Sequence, residues 1–383
     1  MVIFARSTTV AALLGFAVTA VHAAVTKLDP SGLQLVAHTD RYKSIIAKLD
    51  DALPNVSVED VLDDTNHATP GYSGPSNFVQ DFTWEHVSGY DDLNTDKWYP
   101  QGITTSADAY DAGTYKGRNM ILVSWYDHRD VPKADNKGVR ISFIDADKKA
   151  YRNVLLVVPG TESDGTATFS SVKVHAGGIM LYGNILYIVD TANGLRLFDL
   201  NHIYKVDTGN GIGHVGKGVY QAFTYKYVIP QLGYYKAQGS VGDGFRFSYL
   251  ALDRTTTPDS VIVGEYDSKG VTNRIARFNL DYKTRFLTDS TAVATELYNM
   301  GLKSVQGAVS ANGVYYFSCS RGASTKGDLY TWKGEGTTPV RHAGVMSIGC
   351  EDLSYRKQGD QLWSLGEHPG TRPVYAVKAS SYK

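Results

Sequence analysis

Short apolar runs separated by turn residues recur along most of the chain, and the clearest instance spans residues 174–200. This stretch holds three strand-length runs, GGIMLY, ILYIVD and LRLFDL. Gly183-Asn184 and Asn193-Gly194 separate the runs, and both pairs favour hairpin turns because Asn and Gly tolerate positive φ. Three strands linked this closely predict an antiparallel meander.

The same order of strands recurs from residue 78 onward, almost without helical periodicity. The recurrences begin near Gln101, His175, Arg246, Gln306 and Glu351. Repeated meanders of this length predict an all-β protein with a β-propeller fold. We predict five blades, with six or seven as alternatives because the two longest intervals, 101–175 and 175–246, have room for another. The last repeat shows three strands, so a strand near residues 82–87 is predicted to complete it.

The N-terminal 77 residues differ from this pattern. Residues 1–23 have the features of a secretory signal peptide, with Arg6, an apolar segment at 10–21 and small residues before the cleavage point. The apolar segment is too short to span a bilayer, so we predict a secreted, extracellular protein without a membrane partner. Residues 24–77 are predicted to form an extension with a helix over 40–52, capped by Asp40, and residues 78–383 the propeller domain.

Composition adds three expectations. The formal net charge of −1 gives no reason to expect a nucleic-acid partner, and we expect a monomer. Asn55 begins the sequon Asn-Val-Ser and is the predicted glycosylation site. Cys319 and Cys350 are the only cysteines. In an oxidising compartment such a pair is expected to form a disulfide, with two buried thiols as the alternative.

Polar side chains concentrate where the first strand of each repeat begins and where the second strand ends. In a propeller both positions open on one face, beside the central channel. The first-strand set is Gln101, His175, Arg246, Gln306, Glu351 and Asp352, and the second-strand set includes Tyr126, His128, Arg129, Asp190, Glu265 and Glu367. Small residues such as Gly102 and Gly307 follow several starts and are expected to keep a pocket open. Surface strand ends are polar in any case, which is the alternative explanation.

These side chains suit a carbohydrate better than a nucleotide or a metal. The chain has no P-loop, dinucleotide fingerprint, metal motif or nucleophile elbow. No cofactor is predicted, and a structural calcium ion in the channel is the one metal left open. Aromatic residues near the site, Trp98 and Tyr126 among them, offer ring faces to sugar C–H groups, although single aromatic residues more often build blade cores.

The stretches HAGGI, GLRLFDL and EDLSY…LWSL resemble those of a family of secreted fungal and bacterial β-propeller proteins, over most of residues 98–383. The plan also looks like that of the propeller lyases that cleave rhamnosyl-glucuronate in arabinogalactan side chains. Those lyases are described as seven-bladed, whereas five repeats are counted here, so none of their functional residues is carried over. The resemblance implies a partner that is an extracellular polysaccharide or a glycoprotein glycan.

Three functions remain open. A polysaccharide lyase acting by β-elimination would use Arg246, with Arg129, to bind a uronate carboxylate, His175 or His128 as the base, and Tyr126 or the other histidine as the acid. A glycoside hydrolase would instead use paired carboxylates from Glu351, Asp352, Asp190 and Glu265. A lectin-like propeller would bind without turnover. The predicted substrate-binding residues are Gln101, Trp98, Asp190, Arg129, Gln306, Asp352 and Glu265.

Overall fold

Buried strands form the repeated meanders. The structure is a computed structural model that describes residues 25–132 and 135–383, and the predicted signal peptide lies outside these residues. Within the described part, strand pairing gives five four-stranded antiparallel units, which we number 1 to 5 in chain order. Runs such as Ile185–Asp190 are buried along their whole length because neighbouring units cover both faces of each sheet. The prediction of an all-β propeller is confirmed.

The bounds of the strands, from the first to the fourth strand of each unit, are as follows. Unit 1 contains Trp98–Thr105, Met120–Asp127, Val139–Asp145 and Ala150–Thr161. Unit 2 contains Ile179–Tyr182, Ile185–Asp190, Gly194–Asp199 and Tyr227–Gln238. Unit 3 contains Phe247–Asp253, Ser260–Glu265, Arg274–Asn279 and Glu296–Asn299. Unit 4 contains Val305–Ala311, Val314–Cys319, Asp328–Trp332 and Val340–His342. Unit 5 contains Ser354–Arg356, Gln361–Leu365, Val374–Lys378 and Phe78–Phe82.

The first strands contact one another in a ring, from unit 1 through unit 5 and back to unit 1. Glycines make this close approach possible. A Cβ on Gly178 would lie 2.5 Å from the backbone nitrogen of Leu250, and one on Gly307 would lie 2.6 Å from Cα of Asp352. The expectation that small residues keep a pocket open is therefore wrong at these positions, because the backbone of the next unit fills the space.

Unit 5 joins two distant parts of the chain. Its fourth strand, Phe78–Phe82, pairs antiparallel with Val374–Lys378. A strand from the N-terminal side was predicted to complete this unit, and the structure places it at 78–82 and not at 82–87. His86–Val87 pairs instead with Tyr90–Asp91 in a separate hairpin. Phe78 and Tyr375 stack with ring centroids 4.0 Å apart, which adds aromatic contact to the closure.

Units 1 and 2 are joined into one larger sheet. Their long fourth strands run parallel, with Leu155 opposite Val228 and Val157 opposite Pro230. The remaining short strands lie at the edges of units or in loops. They are Ala167–Ser171, Ile203–Lys205, Ile212–His214, Tyr220–Ala222 and Thr291–Val293.

The N-terminal extension packs on the outside of the ring. Helix α1, Lys43–Ala52, buries Ile46 and Leu49. Its cap position is Tyr42, so Asp40 is not the cap that the sequence predicted. Helix α2, Val58–Asp63, begins with a capping box between Ser57 and Asp60. A third short helix, α3, covers Ser106–Ala109, and the 3₁₀ turns are Pro30–Gly32, Gly242–Gly244 and Ala379–Tyr382.

Strands of the extension tie it to several units. Gln34–His38 adds to the fourth strand of unit 2, and Thr26–Lys27 adds to the fourth strand of unit 3. Asn55–Val56 pairs with Ile203–Lys205, and His67–Ala68 pairs with the fourth strand of unit 1. No helix in the described residues is long and apolar enough to cross a membrane.

Candidate active site

Four aromatic rings line one end of the channel. The ring centroids of Tyr126 and His175 are 4.3 Å apart, and those of Tyr99 and His128 are also 4.3 Å apart. Tyr126 and His128 lie 5.6 Å apart, which joins the two pairs. The structure thus brings together three predicted residues, Tyr126, His128 and His175, and adds Tyr99.

His175 stands at the open rim of this cluster. Crowding by protein atoms, with a smaller contribution from His128, lowers its pKa from the ordinary value for histidine. Solvent still reaches the His175 ring, which is exposed. A histidine that is neutral at neutral pH can accept a hydrogen bond or face a sugar ring.

Two glutamates of unit 5 lie below the rings, each held by a glutamine of a neighbouring unit. Nε2 of Gln306 donates to Oε1 of Glu351 at 2.8 Å, and Nε2 of Gln101 donates to Oε2 of Glu367 at 2.9 Å. The backbone fixes both glutamates, since Glu351 N–H donates to the carbonyl of Leu365 at 3.0 Å. We call the set Tyr99, Gln101, Tyr126, His128, His175, Gln306, Glu351 and Glu367 the cup.

The two glutamates have different environments. Glu351 is buried, and burial raises its pKa well above the ordinary value, with the nearby charge of Glu367 as the next contribution. Glu367 is only half-buried, with its side chain 20% exposed. The pKa of Tyr126 is also raised, by burial first and then by Glu367 and Glu351, which places its hydroxyl near both carboxylates. One carboxyl is therefore held as the neutral acid beside a second that solvent can reach.

Asp352 lies deeper and joins units to one another. Its Oδ2 accepts hydrogen bonds from the backbone N–H groups of Ile103 and Ile179, both at 3.2 Å. Its Oδ1 is buried without a partner among the described residues, and burial raises the pKa of this carboxyl. The structure therefore places this predicted substrate-binding residue in the core between units 1, 2 and 5.

Arginines neutralise the other predicted carboxylates. Arg196 Nη2 lies 2.7 Å from Oδ2 of Asp190, and Arg274 Nη2 lies 2.7 Å from Oε1 of Glu265. Arg129, predicted to bind a substrate carboxylate, donates instead to Asp127 through Nε at 2.8 Å. These pairs leave Asp190, Glu265 and Arg129 without a free charge to offer a ligand. They hold the ends of the second strands in place.

Two further predicted residues lie outside the cup. Trp98 is buried, and the guanidinium carbon of Arg140 lies 4.5 Å from its ring centroid, so it packs in the core of unit 1. Arg246 is exposed, and only its backbone N–H is engaged, in a hydrogen bond to Glu265 at 2.8 Å. No contact in the described residues ties its guanidinium to Glu351 or Glu367.

Arg372 was not predicted at the site. Glu367 was predicted among the polar ends of second strands but was given no catalytic or binding role, which went to Glu351 and Asp352 instead. Arg372 is fully buried, and its Nε donates to the backbone carbonyl of Glu367 at 2.7 Å. Its guanidinium lies 5.0 Å from the ring centroid of Tyr99, so it supports the cup from below. No sequence signal separates it from an ordinary surface arginine.

The predicted disulfide is absent, since both cysteines are free and buried. Cys319 packs between units 3 and 4, near Trp332, whereas Cys350 packs between units 4 and 5, near Met346. The two cysteines are nevertheless neighbours, because a Cβ on Gly327 would lie 2.3 Å from Sγ of Cys350 and 2.9 Å from the carbonyl oxygen of Cys319. Burial raises the pKa of both thiols, which keeps them in the unreactive protonated form.

Two other predictions are not tested by the contacts. Asn55 is exposed, but its Nδ2 donates to the carbonyl of Asn201 at 2.8 Å, and glycosylation there stays a prediction. In residues 25–132 and 135–383, no group of three or more His, Cys, Asp or Glu side chains has a metal-binding arrangement. The cup residues themselves give carboxyl, amide, phenol and imidazole groups.

Comparison with known proteins gives similarity of fold only. No family model matches the chain, and no curated protein matches it. The GH43_1 enzyme from Xanthomonas citri, solved with xylotriose, aligns at 8% identity and a TM-score of 0.36, over 87% of this chain and 92% of that one. The PQQ-bound aldose sugar dehydrogenase of Streptomyces coelicolor aligns at 13% identity and a TM-score of 0.34, over 85% and 96%.

A third similar structure is the β-propeller domain of Cps50 (Swd1) from Myceliophteria thermophila. It aligns at 9% identity and a TM-score of 0.33, over 67% of this chain and 93% of that one. Similarities of this size do not place the chain in a family. The resemblance to rhamnosyl-glucuronate lyases stays a prediction, and the functional assignment rests on the cup.

Proposed function

We propose that the protein is a glycoside hydrolase whose catalytic carboxyls are Glu351 and Glu367. The observation that carries this is the difference between the two acids: a buried Glu351 with a raised pKa beside a solvent-accessible Glu367. Glycosidases commonly need such a pair, one carboxyl protonated and one ionised near neutral pH. In this cup, burial raises the pKa of Glu351, whereas solvent reaches part of the Glu367 side chain.

The proposed reaction breaks one C–O bond. Glu351 donates its proton to the glycosidic oxygen as that oxygen leaves the anomeric carbon. Glu367 either removes a proton from the attacking water or attacks the anomeric carbon itself, and the anomeric form of the first product distinguishes these routes. In the first route, Glu367 passes the proton taken from water to solvent and Glu351 takes one up from solvent, which restores both carboxyls. In the second route the sugar is left as an ester of Glu367; water, deprotonated by Glu351, then displaces it at the anomeric carbon, which frees the Glu367 carboxylate and returns the proton to Glu351. Gln306 and Gln101 keep the two carboxyls apart and correctly turned.

The lyase alternative is less well supported by these contacts. β-Elimination of a uronate requires a cation to neutralise the substrate carboxylate. Arg129 is bound to Asp127, and the guanidinium of Arg246 has no contact with the cup. The base assigned to it, His175, is also weakened by the lowering of its pKa. The hydrolase therefore replaces the lyase as the favoured function.

The proposed substrate is an extracellular polysaccharide or a glycoprotein glycan, because the N-terminus has the pattern of a secretory signal and aromatic rings line the cup. The rings of Tyr99, Tyr126, His128 and His175 offer flat faces to the C–H surface of a sugar. We propose that the first sugar ring lies against this cluster, with its glycosidic oxygen facing Glu351.

The test is a panel of polysaccharides and aryl glycosides, read both for new reducing ends and for the absorbance of unsaturated uronate. A hydrolase gives reducing ends without that absorbance, and Glu351→Gln abolishes the signal. Glu335→Gln is the matched control, since Glu335 is exposed and far from the cup. Unsaturated products would overturn the assignment in favour of a lyase. Binding without any product would favour a lectin.

A further inference from the structure

A second concave site lies on the other side of the molecule from the cup. A cavity of about 700 Å³ separates helix α1 from loops of units 2 and 3. Lys43, Gly183, Asn184, Asp199 and Arg285 are among its lining residues, and no cup residue lines it. The volume is in the range of natural small-molecule sites.

The side chain of Arg285 lies in the wall of this cavity, against two tyrosine rings. Its guanidinium carbon lies 4.0 Å from the ring centroid of Tyr282 and 4.7 Å from that of Tyr182. A Cβ on Gly183 would lie 2.9 Å from Cγ of Arg285, so a side chain at residue 183 would displace the arginine. Arg285 itself has a φ of +65°, a left-handed conformation that is strained for a residue with a side chain. The position of the Arg285 side chain therefore depends on a strained backbone conformation at the same residue.

The Arg285 guanidinium has no anionic partner among the described residues. Its Nη1 is buried without a hydrogen bond. The acid nearest in sequence, Asp281, accepts from the backbone N–H groups of Lys283 and Thr284 through Oδ1. Asp259, which contacts Tyr182, is paired with Arg254. A partly buried cation without a counter-ion is costly, and an oxyanion from a ligand would remove that cost.

Other lining residues restrict the ligand. Three carboxylates, Asp40, Asp50 and Asp199, also line the cavity and would repel a polyanion, although Oδ1 of Asp50 already lies 2.9 Å from Nδ1 of His202 and accepts a hydrogen bond from Tyr204. They suit hydroxyl groups as hydrogen-bond acceptors, and Tyr110 lies within reach as an aromatic wall. The ligand that meets both conditions carries one negative charge and several hydroxyls.

We propose that this cavity binds a singly charged acidic sugar, with the sugar carboxylate paired to Arg285. The site is separate from the cup, so it holds whether or not the cup is a hydrolase. Bidentate pairing of a guanidinium with a carboxylate gives it preference for acidic over neutral sugars.

The test measures binding of glucuronic acid to the full chain by calorimetry, with glucose and inorganic sulfate as comparison ligands. Glucuronic acid is expected to bind, and Arg285→Met is expected to weaken it by about 10-fold or more because the charged hydrogen bonds are lost. Lys283→Ala is the matched control, since that lysine is exposed in the same loop and does not line the cavity. Glu351→Gln should leave the affinity unchanged, which separates this site from the cup.

Gly183→Ala is an independent variant that retains Arg285 but displaces its side chain, and it should also weaken binding. Thermal unfolding shows whether each variant is folded. Equal binding of glucuronic acid by Arg285→Met and the wild type would overturn the proposal, as would no binding by the wild type. Equal, Arg285-dependent binding of sulfate would overturn the sugar assignment. Equal binding of glucose would overturn the role of charge.

Discussion

Units 3 and 5 place a glutamate at the same point of the repeat and use it differently. Glu265 ends the second strand of unit 3, and the guanidinium of Arg274 holds both of its carboxylate oxygens. Glu367 follows the second strand of unit 5, which also supplies an arginine, Arg372. That arginine donates to the backbone carbonyl of Glu367, and the carboxylate is held by Gln101 at Oε2, with Nδ1 of His368 3.7 Å from Oε1.

Under the proposed function, the same repeat position serves stability in unit 3 and chemistry in unit 5. A carboxylate paired with arginine is fixed and neutralised, and it holds a strand end. In unit 5, Arg372 donates to the backbone carbonyl of Glu367 and so fixes the strand end. The Glu367 carboxylate is then not neutralised by this arginine and can contact a substrate. A polar strand end in a propeller is therefore informative about function only when its counter-ion is known.

The largest expected effect is on catalysis. Glu367→Gln should lower turnover of a cleaved glycan by about 1,000-fold, because positioned acid–base groups contribute on the order of 100- to 10,000-fold. Glu265→Gln, in the matching position of unit 3, should leave the turnover per folded molecule nearly unchanged. The measurement is initial rate at saturating substrate for both variants. A similar loss in both would remove the proposed distinction between the units.

The second effect is on stability, and here the substitution in unit 3 is expected to cost more than the one in unit 5. Glu265→Gln should reduce the free energy of unfolding by about 2–3 kcal/mol, because it leaves Arg274 without its buried partner. The estimate is below that for a fully buried pair, since 19% of the Arg274 side chain is exposed. Glu367→Gln should change it by less than about 1 kcal/mol. Denaturant titration measures both, and equal losses would contradict the comparison.

The third effect is a pH dependence with opposite signs in two units. The folded-state pKa of Glu351 is raised, so its contribution to stability is present below the unfolded value of 4.5 and is lost as pH rises toward the folded value. The slope is at most about 1.4 kcal/mol per pH unit. Glu351→Gln should remove this fall in stability above about pH 4.5.

Asp127 of unit 1 supplies the contrast. Burial alone would raise its pKa, but hydrogen bonds from Arg129 and the backbone outweigh burial and lower it. Its contribution is therefore present above the unfolded value of 3.8 and is lost as pH falls below it. Unfolding measured from pH 3 to 8 on Asp127→Asn should show this slope removed at the acidic end. The same slope for both variants would show that the two environments do not differ.

The smallest expected effect is on thermal stability and concerns the two free cysteines, Cys319 and Cys350. Because the thiols are unlinked, a reducing agent should leave the melting temperature unchanged within about 1 °C, whereas loss of a native disulfide typically costs about 2–5 kcal/mol. Thiol titration of the unreduced, denatured protein should detect two groups. Detection of none would restore the bridge predicted from the sequence.

The hydrophobic pattern was sufficient to predict the fold because each strand is short, apolar and bounded by turn residues. The same pattern placed Tyr126, His128 and His175 at strand starts and ends of one face, and the structure brings their rings together. That this face holds the functional site stays a prediction. The pattern could not assign counter-ions. The partner of Glu265 is nine residues along the chain, and the partner of Glu351 is Gln306 of another unit. Such contacts depend on which neighbouring side chain turns toward an acid, and no local pattern encodes that choice.

Closure of the ring by Phe78–Phe82 also has a consequence for biosynthesis. This strand is synthesised before nearly the whole propeller, whereas its partner, Val374–Lys378, is synthesised close to the end. Both glutamates of the cup belong to the unit that this late pairing completes, and Gln306 and Gln101 reach them from the units on either side. A chain that stops before residue 374 therefore lacks the strand that pairs with Phe78–Phe82, and unit 5 stays incomplete. Under the proposed function, such a fragment would have no complete cup.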